Sequence, residues 1–447
     1  MVKEREFYRR FFTMCLVLVL QNVISLSVNL ADNIMLGSFS EASLSGATAV
    51  NQLQFIYHQL LLGIGDGLVI FGSQYWGKKQ TKEIKQISAI ALLFAIVIMI
   101  VFVFTTSVFP NELLRLFSKD EAIISEGVCY LSIIKYTYIF FCFSVILLAT
   151  LRTVEVVKIA FYLSLMSLAI NCSINYVLIY GKFGFPQMGI TGAAIGTLVS
   201  RIAEFSVIVL YITLKEKKLS LKIKDFLYIN KPLLIKYAKK SAPIIISSAL
   251  WGVNTALQTA IMGNMSSSAI AANSVASNLF MLVKTAAIGT ASTVSVMMGK
   301  AIGEGDSNKI KSYAKTFQIM FIGLGIICST VLFVIIDPVL SLYKLSEQSH
   351  YLAHAFLMIL VVIMMFMSYQ MPTNIGIIRG SGDVKYMMIL DSVCIYGLVL
   401  PLSFFMAFVV KASPIIVVIC LNLDQIIKCV PAFIKANYGN WVHKLTD

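Results

Sequence analysis

Charge is what this 447-residue chain has least of: 13% of its residues are Asp, Glu, Lys or Arg, against 58% apolar. A soluble domain is ~45–50% apolar and ~25% charged. With 22 acids and 36 bases the chain cannot coat a soluble protein of this length, which excludes a globular cytosolic enzyme and a disordered regulator. Histidine is also scarce. His58, His350, His354 and His443 are scattered, so no catalytic or metal-binding histidine cluster is expected. The cysteines at 15, 129, 142, 172, 328, 394, 420 and 429 lie in or beside apolar runs without a CxxC, which argues against a disulfide scaffold or a zinc site. No P-loop, HExxH, Ser/His/Asp arrangement or dinucleotide fingerprint occurs, so neither an ATP drive, an enzymatic activity nor a resident cofactor is expected.

Long apolar runs are abundant instead. They lie near 11–36, 50–74, 88–109, 127–150, 159–180, 190–214, 241–262, 271–298, 316–337, 351–376, 386–409 and 413–434. Each is about the ~20 residues that a helix needs to cross a bilayer. The expectation is an all-α membrane protein of twelve transmembrane helices. The first run follows Lys3, Arg5, Arg9 and Arg10 as a signal peptide would, but it is long, carries Asn22, Asn29 and Asp32, and offers no clear cleavage site. It reads as an uncleaved first span.

An even number of spans puts both termini on one side. The segments then assigned to the cytoplasm hold 28 Lys/Arg and the opposite loops hold five: Arg115, Lys119, Lys182, Lys344 and Lys411. Lys135, Arg201 and Lys284 remain inside spans. That asymmetry is the positive-inside pattern, so the net charge of +14 reports topology and not nucleic-acid binding.

The most basic cytoplasmic segment falls mid-chain, dividing it into an N-terminal six-helix lobe (1–214), a basic linker (215–240) and a C-terminal six-helix lobe (241–447). The halves repeat. Ile34-Met35-Leu36-Gly37 matches Ile261-Met262-Gly263 at an offset of 226, Gly77-Lys78 matches Gly299-Lys300, and Leu151-Arg152 matches Ile378-Arg379. Matching loops lie on the same side, as in secondary transporters built from parallel repeats.

Four motifs then carry a family resemblance across essentially the whole chain. They are Asp32-Asn33-Ile34-Met35-Leu36-Gly37, Gln74-Tyr75-Trp76-Gly77-Lys78, the run from Gly189 to Thr197, and Arg379-Gly380-Ser381-Gly382-Asp383-Val384-Lys385. In this order, on twelve spans, they resemble the multidrug and toxic compound extrusion (MATE) family, NorM-like in the first half. The resemblance implies a V-shaped pair of lobes around a central cavity, in the cell membrane, exporting organic cations in exchange for sodium or protons. It implies small organic cations and membrane lipid as partners, a monomer, and no cofactor beyond the transported ion.

A charged side chain in hydrocarbon costs at least ~2.5–3.5 kcal/mol on insertion scales, so each one needs a partner, a cavity or a task. Asp32, beside Asn29 and Asn33 and with no basic residue near it in sequence, can take up a proton or ligate sodium. A helix cap is the plainer alternative. The resemblance makes it the family's first-helix aspartate. Asn171 and Asn175 lie one turn apart on one helix face. With Thr197 they complete a candidate cation-coupling site around Asp32, which becomes a metal ligand if the ion is sodium; amide packing between helices is the alternative. Many relatives have a second aspartate where this chain has Asn175, so the first lobe holds less charge here.

NorM-like relatives place acids where this chain has Trp251 and Tyr369, and Gln258 occupies the repeat position of Asp32. An acid-built cation site in the second lobe is therefore not expected. Trp251, Gln258, Tyr369 and Asp66, the last within Gly63-Ile64-Gly65-Asp66-Gly67, are candidates for lining a substrate cavity. An aromatic face attracts an organic cation by ~0.5–2 kcal/mol; simple packing is the alternative. Arg201 and Glu204, three apart, read as a structural ion pair, and Asp391 and Asp424 are expected to pair with Lys284. Otherwise Lys284 gives the second lobe a permanent positive charge. Lys135 and His58 carry no distinctive pattern. The alternative function, a lipid-linked oligosaccharide or peptidoglycan-precursor flippase, calls for several arginines in the cavity, whereas Arg201 is the one arginine inside an expected span.

Overall fold

The computed structural model describes residues 2–446 apart from 119, 227, 342 and 344 and the side chain of Ser267, so Lys119 and Lys344 lie outside the described residues. The described chain is helical, with one isolated bridge between Gly382 and Val442. The first half runs α1 (Arg5–Phe39), α2 (Glu41–Gly77), α3 (Thr81–Val108), α4 in two arms (Glu121–Ile134 and Thr137–Thr153), α5 (Lys158–Tyr180) and α6 (Gly189–Leu214). The second runs α7 (Lys231–Gly263), α8 (Ser267–Glu304), α9 (Ser307–Leu340), α10 (Glu347–Arg379), α11 (Val384–Val409) and α12 (Pro414–Tyr438). Eleven of these are long and apolar enough to cross a membrane, and the arms of α4, bent by 53° where Lys135 and Tyr136 interrupt the helix, make up a twelfth.

Several helices outrun the bilayer. The 35 residues of α1 extend for about 52 Å at ~1.5 Å per residue, against a hydrocarbon core of ~30 Å. The basic segment before the seventh span is partly helical for the same reason: α7 starts at Lys231. On α3, Val97, Ile100, Val101 and Phe104 are each more than half exposed, which suits a surface solvated by lipid and not by water.

The chain packs as two compact units. The N-terminal unit comprises Leu20–Gly72 and Lys79–Ser248; the C-terminal unit comprises Met1–Val19, Ser73–Lys78 and Ala249–Asp447. Helix α1 thus contributes its first turns to one unit and its remainder, with Asp32, to the other, and α7 is divided likewise at Ser248.

In the N-terminal unit the core is closed by buried tyrosines whose hydroxyls must find acceptors. Tyr57 donates to the Tyr138 carbonyl at 2.6 Å, and Tyr237 donates to the Ile64 carbonyl at 2.8 Å. The small residues Gly63 and Gly67 let α2 approach α7 closely, since a Cβ at either would run into Ser248 or Ser241.

The C-terminal unit has two apolar clusters, one around Phe356 and Leu332 and one around Phe7, Phe317 and Trp441. Helix α10 widens to a π-helix from Pro372 to Arg379, and α11 does so at Val393–Val399 and Phe405–Val409. Pro372 has no N–H to continue the α ladder, and the wider turns rotate the side chains that follow. The Gln74 amide ties the chain's end to α2: it accepts from Leu445 N at 2.7 Å and donates to the His443 carbonyl at 3.2 Å. The motif from Gln74 to Lys78 is thereby accounted for as a structural clasp.

Candidate functional site

The polar residues of the N-terminal unit converge because α5 and α6 touch almost backbone to backbone. Gly189, Gly192 and Gly196 recur on one face of α6, and a Cβ on Gly192 would strike Leu178 and Ile179 of α5. That close approach seats the amides of α5 against α6. Asn171 and Asn175 are fully buried, and Thr197 is 8% exposed.

Asp32 Oδ1 of α1 accepts a hydrogen bond of 2.6 Å from Asn175 Nδ2, which also reaches Asn171 Oδ1 at 3.3 Å. Asn171 Nδ2 in turn donates to Thr197 Oγ1 at 3.2 Å. The four residues of the candidate cation-coupling site therefore form one connected network. Among the described residues Asp32 makes no ion pair within 4 Å; the cation in its field, Arg201, is held 2.6 Å from Glu204 and lies over the Phe141 ring.

One atom of this network is unsatisfied. Asn175 Oδ1 is buried without a hydrogen-bond partner, although its amide nitrogen is fully used. It rests against Gly196, where a Cβ would overlap it. A buried acceptor of this kind costs about 1–3 kcal/mol unless something donates to it or coordinates it. With Asp32, Asn171 Oδ1 and Thr197 Oγ1 it makes an all-oxygen set with one carboxylate, the donor chemistry of a hard monovalent cation. Gly196→Ala is accordingly expected to displace Asn175 and cut transport at least tenfold, since ~1.4 kcal/mol of lost site geometry already has that effect. Transport rates in vesicles, normalised to inserted protein, check this.

Tyr130, on the first arm of α4, was not visible in the sequence. It is 3% exposed and brings its hydroxyl to Thr197. Nothing in the run around it distinguishes it from an ordinary core tyrosine. His58, left without a role above, stacks on Phe141 at 3.9 Å between centroids, on the ring that also carries Arg201. Asp66 belongs to this unit as well, in the field of Arg152.

The remaining named residues lie in the C-terminal unit. The Tyr369 hydroxyl donates to Gln318 Oε1 at 2.9 Å, which also receives Asn437 Nδ2. Gln258 is held by Asn254 Oδ1 at 3.3 Å and by the Leu421 carbonyl at 3.4 Å. The expected pairing of Asp391 and Asp424 with Lys284 is corrected. Both acids go to Lys428, at 2.7 and 3.1 Å, and Lys284 lies 5.2 Å from the Trp251 ring centroid. Lys428, one of the 28 bases assigned above to the cytoplasm, is 4% exposed within α12, one turn from Asp424. The i,i+4 spacing was the available signal. An amide chain continues inward: Gln425 donates to Asp424 at 2.7 Å, Gln370 to Gln425 at 2.6 Å and Asn374 to Gln370 at 3.0 Å.

Comparison with known proteins agrees with this architecture. The MatE family profile matches residues 18–177 and 243–405. The chain is 26% identical over 369 residues to the probable multidrug resistance protein YoeA of Bacillus subtilis, covering 80% of this chain and 78% of that one. It is 27% identical over 389 residues to the probable multidrug resistance protein NorM of Bacillus thuringiensis, covering 84% and 83%. Among solved structures, a mutant of the Vibrio cholerae MATE transporter VcmN superposes with a TM-score of 0.87 at 14% identity, covering 98% of each chain. A multidrug resistance MATE family transporter in an outward-facing conformation gives 0.85 at 16%, covering 96% and 94%. The chain belongs to the MatE family of multidrug efflux transporters.

Proposed function

We propose that this transporter is a cation-coupled antiporter that exports organic, cationic compounds by alternating access, with Asp32 as its coupling residue. The observation that carries the reading is the 2.6 Å Asp32–Asn175 contact beside a buried, unpartnered Asn175 oxygen. A single carboxylate neutralises a single positive charge, which suits one monovalent ion per cycle, taken up as a proton on Asp32 or as sodium among the four oxygens. Entering from outside, the ion replaces the Asn175 donor at Asp32, and α1 shifts against α5 and α6 so that the bound compound is released outward. The transporter works as a single chain in the cell membrane with both ends in the cytoplasm.

One cation inward for one univalent compound outward is electroneutral, so the chemical gradient is the drive, at ~1.4 kcal/mol per tenfold ratio. The test is export of a lipophilic cationic dye from proteoliposomes, driven by a sodium gradient at fixed pH or by a pH gradient without sodium. Export under one of these gradients is expected and names the ion. Export under neither would refute ion coupling.

A further inference from the structure

We propose that Lys284 and Trp251 form a recognition element for an anionic group on the exported molecule, so that among organic cations those that also carry an anion beside an aromatic ring bind most tightly. The inference rests on the efflux reading above and narrows its substrate class.

The sequence supplies the first reason. From Ser241 to Gly299, through most of α7 and α8, Lys284 is the only charged residue. This stretch offers an organic cation no carboxylate at all. Within hydrocarbon a lone lysine is costly, and such residues face partners or a task.

The second reason is how the nearby charges are shared. Lys428 takes both Asp391 and Asp424, at 2.7 and 3.1 Å. Lys284 is left, among the described residues, without an acid within 4 Å, and it settles on Trp251 at 5.2 Å from the ring centroid. A cation–aromatic contact is a weaker partner for an ammonium group than a carboxylate. Lys284 therefore keeps donor capacity for a stronger acceptor.

The third reason is that the aromatic face is already taken. An incoming simple cation has to displace Lys284 from Trp251 and then meet its positive charge. An incoming carboxylate is attracted to the same ammonium and meets no such repulsion, and it brings the aromatic body of the molecule beside the indole. Both side chains are half-buried, so neither is sealed in the core. The element thus selects for an anion next to an aromatic ring, while the cationic part of the molecule answers to the rest of the protein. Repulsion of the wrong ligand contributes to this selectivity as much as attraction of the right one.

The test uses a free-acid rhodamine and its methyl ester, which differ in whether the carboxylate carries a charge. Binding of each to purified full-length protein is read by fluorescence anisotropy without any gradient. Wild type is expected to bind the free acid about tenfold more tightly than the ester, the effect of one charge-assisted contact of ~1.4 kcal/mol. Lys284→Gln should erase that preference by weakening the free acid alone, and Lys284→Arg should keep it. A wild-type protein with no preference overturns the proposal. So does a Lys284→Gln protein that weakens both dyes equally, because that marks a lysine serving only the packing of α7 against α8. Gradient-driven export of the ester in vesicles reports on the efflux reading separately, so failure of that reading is distinguishable from failure of this one.

Discussion

Exchange of Asp32 for asparagine should reduce ion-driven export to the level of protein-free vesicles while the protein inserts and purifies normally. The substitution preserves volume, and the new Oδ1 can still accept from Asn175 Nδ2, the contact that measures 2.6 Å in the native protein. Fold and local packing therefore persist. The negative charge is what disappears, and with it the only carboxylate among the four residues of the network. Asn171, Asn175 and Thr197 are neutral, so a variant at Asp32 has nothing left with which to hold a proton, and binds sodium with neutral oxygens alone. Loss of such a charge removes the differential affinity between ion-loaded and ion-free states, and a ligand shifts a conformational equilibrium only by that difference. Export rates in proteoliposomes, with insertion checked by size-exclusion chromatography, decide the matter. Undiminished export by the variant would remove Asp32 from the coupling role.

Replacement of Lys428 by methionine is expected to lower stability by about 3–5 kcal/mol, the usual consequence of stripping the partner from a buried charge. Here one ammonium serves two carboxylates, and Lys428 and Asp424 are 4% and 5% exposed. Without it, the two acids face each other across α11 and α12 with no compensating charge at contact distance. The amide chain through Gln425, Gln370 and Asn374, whose donors all point toward Asp424, would then be anchored on an unneutralised group. Thermal melting in detergent should show a large fall for Lys428→Met. Recovery is expected when Asp391→Asn and Asp424→Asn are added, because removing all three charges leaves none unpaired. If the triple variant melts as low as the single one, the side-chain packing of Lys428 and not its charge is responsible.

How much of this could be read along the chain differs from residue to residue. Asp32, Asn171, Asn175 and Thr197 were nameable because a carboxylate in an apolar run is conspicuous and because residues four apart share a helix face. Their mutual contacts were not nameable, since they depend on Gly192 and Gly196 bringing α6 against α5. Tyr130 stayed hidden for a related reason: its hydroxyl reaches Thr197 from the bent arm of α4, and an apolar run does not announce a bend. The pairing of Asp391 and Asp424 with Lys284 failed because the charge count assigns Lys428 to the cytoplasm, although it falls within the run 413–434 and α12 continues to Tyr438.

The scarcity of charge in this chain is enough to make it a membrane protein, and the spacing of its apolar runs is enough for the count of its spans. Both are one-dimensional quantities: charge is counted along the chain, and the bilayer has a set thickness. Which charge meets which is a different kind of quantity. It depends on the rotation and axial offset of one helix against another, and a shift of a few ångströms moves an ammonium from contact to beyond it. That packing gave both acids to Lys428, left Lys284 on Trp251, and set an unpartnered Asn175 oxygen beside Asp32.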